Sequence, residues 1–190
     1  RPNRSTEHAI AQCCRLMQVQ HLHYVVDIDI RGFFDNVSHG KLIRQMWEMG
    51  IRDKKLLCIV KQMLKAQVVL PDGTRITPTK GTPQGGILSP LLSNIVLNEL
   101  DWWVTSQWEE MPTHYEYKTR QNARGTDIKS HTYRALRRSN LKEMYIVRYA
   151  DDFKIFCRSR QDAEKVFEAT RLWLKDRLAL EISPEKTIVI

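Results

Sequence analysis

Residues 144–157 read Met-Tyr-Ile-Val-Arg-Tyr-Ala-Asp-Asp-Phe-Lys-Ile-Phe-Cys, two runs of strand-forming residues interrupted by two acids. Met144–Tyr149 and Phe153–Cys157 carry the β-branched and aromatic side chains that favour paired strands. The expectation is a β-hairpin with its turn at Asp151 and Asp152, which projects both carboxylates together. Such a pair is unspecific alone, since most are surface turns or caps. A second acidic strand lies far upstream: Tyr24 to Ile30 alternates so that Asp27 and Asp29 share a face by the period of two. Two carboxylates on one face of a buried strand need a cation or a partner. If the two strands are neighbours, their acids meet at the mouth of one antiparallel sheet, within reach of a shared divalent ion.

The remaining pattern is mostly helical. Residues 8–20 have apolar positions at helical spacing, with Ser5 or Thr6 as cap. Gly32 breaks the strand, Ser38 caps a helix over 39–49 and Gly50 stops it. A further helix spans about 53–66, and Pro71-Asp72-Gly73 turns a hairpin between 68–70 and 74–77. Ser89-Pro90 opens a long helix that carries Leu91, Leu92, Ile95, Val96, Glu99, Trp102 and Trp103. Ser159 and Asp162 bracket the start of another, running to about Ala179, and 180–182 and 187–190 read as short strands. Helices collected on one side of an antiparallel sheet make an α+β domain.

At 190 residues, 42% hydrophobic and 27% charged, the chain suits one folded domain. No stretch has the roughly 18 uninterrupted apolar residues of a membrane span. Arg1 to Arg4 offer no signal segment and read like the middle of something longer. Cys13, Cys14, Cys58 and Cys157 have neither zinc-site nor disulfide-framework spacing, so a reducing, cytoplasmic setting is expected. The net charge of +8 points to a polyanionic partner. From Thr113 to Arg148, Lys118, Arg120, Arg124, Lys129, Arg134, Arg137, Arg138, Lys142 and Arg148 face only Glu116, Asp127 and Glu143. That excess, in a segment poor in aliphatic residues, reads as an insertion that lies on phosphates.

Four motifs in order resemble those of reverse transcriptases. Asp29 followed by Arg31-Gly32-Phe33-Phe34-Asp35 resembles the first metal-binding motif, and Gly81-Thr82-Pro83-Gln84-Gly85-Gly86 through Asn94 resembles the substrate-positioning loop and helix. Tyr149-Ala150-Asp151-Asp152-Phe153 resembles the signature hairpin, and Pro184-Glu185-Lys186-Thr187 the motif whose lysine approaches the triphosphate. The form of the second, with Leu88 to Asn94 and then Leu100-Asp101, is similar to group II intron-encoded proteins, as is the opening Arg1-Pro2-Asn3-Arg4-Ser5.

The resemblance implies a polymerase palm, over about 22–38 and 81–190, with fingers-type elements over about 1–21 and 39–80 and a basic insertion over about 105–143. It implies two Mg²⁺ ions, with Mn²⁺ able to substitute. Asp29, Asp151 and Asp152 would be catalytic metal ligands, and Ile30 is placed with both metal and substrate. Hard carboxylate oxygens without His or Cys suit Mg²⁺. Asp27 competes with Asp29, which is preferred for its spacing to the aromatic pair. Lys186 would be catalytic, carrying a cation or a proton to the pyrophosphate. Arg31, Gln84 and Gly85 would bind substrate, and Phe34, or otherwise Phe33, would stack under the sugar. Asp35 would orient local backbone. Arg134, Arg137, Arg138 and Lys142 would bind RNA.

The implied activity is RNA-directed DNA polymerisation with an intron-binding, maturase role. The implied partners are group II intron RNA, an RNA template with a DNA primer and deoxynucleoside triphosphates; a homodimer is compatible and no membrane is involved. Upstream finger strands, primer grip, thumb and maturase region lie outside these residues, so the 190 residues alone are expected to be a weak or inactive polymerase. One alternative is a non-catalytic splicing cofactor, but a scaffold would be expected to have lost acids. The other, a retron or CRISPR-associated enzyme, is opposed by the segment from Gln84 to Asn94.

Overall fold

The computed structural model describes residues 5–83, 86–123, 125 and 127–190. Along the chain, α1 (Thr6–Gln18) leads into β1 (Tyr24–Ile28), followed by α2 (Phe33–Asn36), α3 (His39–Glu48) and α4 (Lys54–Leu64). A short hairpin of β2 (Val68–Val69) and β3 (Arg75–Ile76) precedes the long α5 (Ser89–Gln107). The basic insertion is β4 (Arg120–Gln121), β5 (Asp127–Ile128) and α6 (Ser130–Arg137). Then come β6 (Met144–Tyr149), β7 (Asp152–Cys157), α7 (Arg160–Trp173) and β8 (Ile188–Val189).

The local chemistry explains these boundaries. The Asp53 carboxylate accepts from the amides of Lys55 (2.8 Å) and Leu56 (3.3 Å) at the head of α4. The Ser159 hydroxyl accepts from the Asp162 amide (3.2 Å) at the head of α7. The last turn of that helix widens into a π-helical turn, Leu174–Leu178, and Ala179 in the left-handed region ends it (φ 56°). The two strands expected over 180–190 reduce to β8 and a single bridge, Ile30 to Ile182.

The central sheet is antiparallel, in the order β6-β7-β1-β8. Val26 and Ile28 lie opposite Ile155 and Phe153 and are sealed on one face. That face is covered by α5 and α7, whose Trp103 and Trp173 rings stack at 5.2 Å. Helices do not keep to one side, however. Tyr145 and Phe156 point to the opposite face and are also buried. Cys13 of α1, its thiol pushed up chiefly by burial, lies within the field of Lys154 and Asp152, which puts α1 over part of that face. The other end of the face stays open.

Trp108, fully buried at the end of α5, donates from Nε1 to the Tyr145 hydroxyl (3.1 Å) and stacks on Tyr133 of α6. Glu143, 4% exposed, accepts from Arg137 Nε (3.0 Å) and Nη2 (2.9 Å) and from Arg158 Nε (2.5 Å). Burial alone would raise its carboxyl; the two guanidiniums outweigh that and hold it below its ordinary value. A depressed carboxylate contributes stability that is complete above its unfolded pKa of about 4.3 and is lost as pH falls through the folded value. Glu143→Gln is therefore expected to cost roughly 2 kcal/mol near neutrality, less than a fully buried pair because both guanidiniums are partly solvated. Thermal unfolding across a pH series should show the wild type converging on the variant below about pH 4.

Candidate active site

The β1–β7 register sets the geometry. Asp27 lies opposite Lys154 and Ile28 opposite Phe153. One step further the same alternation puts Asp29 across from Asp152, on the face that carries Asp27 and Lys154. The hairpin turn is one residue earlier than expected: Tyr149 pairs with Asp152, so Ala150 and Asp151 make the turn and Asp152 opens β7. Ala150 is left-handed (φ 56°), a conformation that costs a non-glycine residue about 1 kcal/mol. The three acids thus share one end of the sheet. They are not drawn into a tight cluster: among the described residues, no group of three or more His, Cys, Asp or Glu is arranged to hold a metal ion.

Each acid near the strands has a cation beside it. Asp27 is ion-paired to Lys154, which also lies 3.9 Å from Asp152. Asp29 Oδ2 is 3.7 Å from Lys186 Nζ, with the two side chains 47% and 68% exposed. So solvated a pair is worth little, at most about 1 kcal/mol, and opens readily. Hard carboxylate oxygens at an open rim, already attracting cations, fit Mg²⁺ chemically.

Ile30 is aimed by its neighbours. The Ser183 amide donates to the Asp29 carbonyl and the Arg31 amide to the Glu181 carbonyl, both at 2.8 Å. Backbone groups alternate along a strand, so the N–H and C=O of Ile30 face the other edge, toward β7 and the acidic hairpin. Arg31, largely exposed, reaches to 4.0 Å from Glu185, next to Lys186.

After Gly32, α2 carries the aromatic pair. Phe33 is sealed in the core, whereas Phe34 is half-buried, its ring edge-on to Phe33 at 5.4 Å. The Phe34 carbonyl accepts from the Thr82 amide (2.6 Å), and the Val37 carbonyl accepts from the Gly81 amide (2.7 Å). Gly81 must be glycine here: φ is +90°, and a Cβ would stand 3.0 Å from the carbonyl oxygens of Phe34 and Asp35. Buried His39 donates from Nε2 to the Gly81 carbonyl (2.7 Å). Beyond Pro83, the Ser89 hydroxyl donates back to the Pro83 carbonyl (2.5 Å). Gln84 and Gly85 lie outside the described residues, but both stems of their loop are fixed to α2 and α5.

An anchor that the sequence did not announce ties α5 to the hairpin. Arg148 Nε and Nη2 donate to the two Asp101 oxygens (2.8 and 2.7 Å), and Nη1 donates to Asn94 Oδ1 (2.9 Å) and the Ala150 carbonyl (2.6 Å). Arg148 is 11% exposed and Asp101 18%. The available signal was Asn94 and Asp101, two polar residues seven apart on one face of an apolar helix.

This corrects the expectation that Arg148 is a phosphate-facing cation. Two other basic residues of the 113–148 segment are also engaged: Arg137 on Glu143, and Lys142 with Asp162 at 3.4 Å. Arg134 and Arg138 are exposed and have no ion pair among the described residues.

Carboxylates at the mouth of a helix-backed antiparallel sheet, with a lysine beside the first, follow the plan of a polymerase palm. Residues 1–190 match the reverse transcriptase (RNA-dependent DNA polymerase) model along their whole length, and the chain belongs to that family. It is 31% identical to the group II intron-encoded protein LtrA of Lactococcus lactis subsp. cremoris, over 100% of this chain and 36% of that protein. It is 28% identical to the putative COX1/OXI3 intron 2 protein of Saccharomyces cerevisiae, over 100% of this chain and 24% of that protein. The chain thus spans well under half the length of these relatives. The fold is shared with telomerase from Candida albicans, 12% identical with a TM-score of 0.63, covering 98% of this chain and 31% of that one.

Removing Arg148 leaves Asp101 half-buried without its partner and frees the Ala150 turn. Arg148→Ala is expected to cost about 3 kcal/mol, and Arg148→Lys to recover only part of it because the bidentate fork is lost. Denaturant midpoints of the two variants check this order; equal stability of Arg148→Ala and wild type would refute the anchor.

Proposed function

We propose that the protein provides the polymerase centre of a group II intron reverse transcriptase, which extends a DNA primer on an RNA template by nucleotidyl transfer from deoxynucleoside triphosphates. In the full chain the same protein would hold intron RNA in a maturase role. The observation that supports the reading is the β1–β7 register, Ile28 opposite Phe153, which runs on toward Asp29 and Asp152 at the end of the sheet, with Lys186 Nζ 3.7 Å from Asp29. The subtype is supported by relatives whose names are those of intron-encoded proteins.

Asp29, Asp151, Asp152 and the Ile30 carbonyl would hold two Mg²⁺ ions, or Mn²⁺ in their place, which supply the positive charge that activates the primer hydroxyl and offsets the leaving group. Lys186, held only by a weak exposed pair, would turn to the pyrophosphate and stabilise or protonate it. Arg31 would meet the triphosphate from the same edge. Phe34 is the better sugar-contacting ring, because Phe33 is committed to the core. Its backbone holds the stem of the Gln84-Gly85 loop, so sugar contact and loop would be set together. Elements α3, α4 and the β2–β3 hairpin would belong to the fingers and the sheet to the palm. Arg134 and Arg138 would make the main RNA contacts of the insertion, with Arg137 and Lys142 contributing from their ion pairs.

Replacing both Asp151 and Asp152 by Ala in the full chain should lower Mg²⁺-dependent DNA synthesis by a factor on the order of 10³ or more and leave affinity for structured RNA nearly unchanged. Parallel loss of RNA binding would show that the two surfaces are one. Phe34→Ala should raise incorporation of ribonucleotides relative to deoxynucleotides in single-nucleotide extension assays, whereas Phe33→Ala should act mainly on stability. Unchanged sugar selectivity of Phe34→Ala would exclude that ring as the sugar contact.

A further inference from the structure

The insertion is not a featureless basic loop. Tyr115 and Tyr117 meet edge to face at 5.1 Å, and Tyr117 lies nearly parallel to His131 of α6, with ring centroids 6.2 Å apart and planes 17° apart. Tyr115 is 67% exposed, and His131 is exposed as well. Tyr115 and His131 are left in solvent near the head of α6, with the half-buried Tyr117 ring in contact with both.

The two faces of α6 divide the work. Tyr133, Leu136 and Arg137 look inward: Tyr133 stacks on Trp108, Leu136 is buried and Arg137 holds Glu143. His131, Arg134 and Arg138, at i, i+3 and i+7, share the other face. All three are exposed, and neither arginine has an ion pair among the described residues. Exposed Lys118 and Arg120 follow the tyrosines along the chain. A row of rings thus continues into a row of cations, spaced along the helix at about 1.5 Å of rise per residue.

We propose that Tyr115, Tyr117 and His131 form a stacking platform for unpaired bases of an RNA strand, with Arg134 and Arg138 receiving the phosphates that follow. The π-face of a base is available only when it is unstacked, so the partner is single-stranded RNA rather than duplex. Cations alone would bind either form; the rings supply the preference. This deepens the reading of the chain as an RNA-copying enzyme and rests on it for the choice of RNA.

The test uses the full chain and a short RNA oligonucleotide carrying a central 2-aminopurine, whose fluorescence is quenched on stacking. Tyr115→Ala and His131→Ala, both at exposed positions, should each weaken binding of the unpaired oligonucleotide by roughly five- to a hundredfold and relieve the quench. Neither should alter the salt dependence or the affinity for a duplex of the same sequence. Arg134→Ala with Arg138→Ala should instead flatten the log–log salt slope by about 0.7 for each phosphate no longer neutralised. Tyr117→Leu, which preserves bulk at this half-buried position but removes the aromatic face, should weaken binding of the unpaired oligonucleotide in the same way. Unchanged binding by the aromatic variants, equal losses for duplex and single strand, or tighter binding of the matching DNA oligonucleotide would each overturn the proposal. Primer extension on a short template at saturating substrate is measured alongside. Its absence from the wild type would refute the polymerase reading without touching the platform.

Discussion

The site depends on the pairing of β1 with β7. These strands are remote in sequence, and nothing local holds them in register; the apolar positions do. Val26 and Ile28 are sealed against α5 and α7 only when they oppose Ile155 and Phe153. A slip of β1 by one residue would turn Val26 and Ile28 off that face and put Asp27 into it, at a cost of several kcal/mol in apolar burial alone. Because side chains alternate, the choice that buries the hydrophobic row also delivers Asp29 and Asp152 to the open face. The carboxylates are positioned by the core, not by attraction for one another, which as like charges they lack.

Two further supports brace the elements around that register. Arg148 looks inward from the hairpin to Asp101 and Asn94, so α5 and the Ala150 turn move as one body. From the other side, the Gly81-Thr82 segment is bonded to the backbone of α2, and Ser89 closes the same loop onto the head of α5. The described residues on either side of Gln84 and Gly85 are therefore fixed to the helix bearing Phe34 and to the helix bearing Asp101. A ligand lying between Phe34 and the acidic hairpin would touch elements that share these braces, which is the preorganisation a positioning site needs.

Much of this was legible because it is written in local patterns. The hairpin at 144–157, the acidic strand, the helix opened by Ser89-Pro90 and the turn at Pro71-Asp72-Gly73 each announce themselves through side-chain period or turn chemistry. The choice between Asp27 and Asp29 was not legible in side-chain period, since period two gives them one face; in the structure Asp27 pairs with Lys154 and Asp29 lies beside Lys186. The turn at Ala150-Asp151 was misplaced by one residue because alanine at positive φ has no sequence signature. The Arg148 anchor was hidden for a different reason: its partner lies 47 residues away on another element, and long-range ion pairs leave no periodicity.

The insertion shows why counting charge along a sequence overstates a binding surface. Glu143 is one of only three acids there, yet buried as it is it demands compensation, and a desolvated carboxylate recruits whichever guanidiniums the fold brings near. Arg137 and Arg158 answer it, Arg148 answers Asp101, and Lys142 answers Asp162. Those side chains hold the insertion and the hairpin to the sheet. What remains for a polyanion is the outward face of α6 and the β4–β5 side, where the cations are accompanied by rings. The inward half of the segment holds ion pairs and core contacts while the outward half presents exposed cations, and the eight residues of α6 carry both because their helical period separates the two faces.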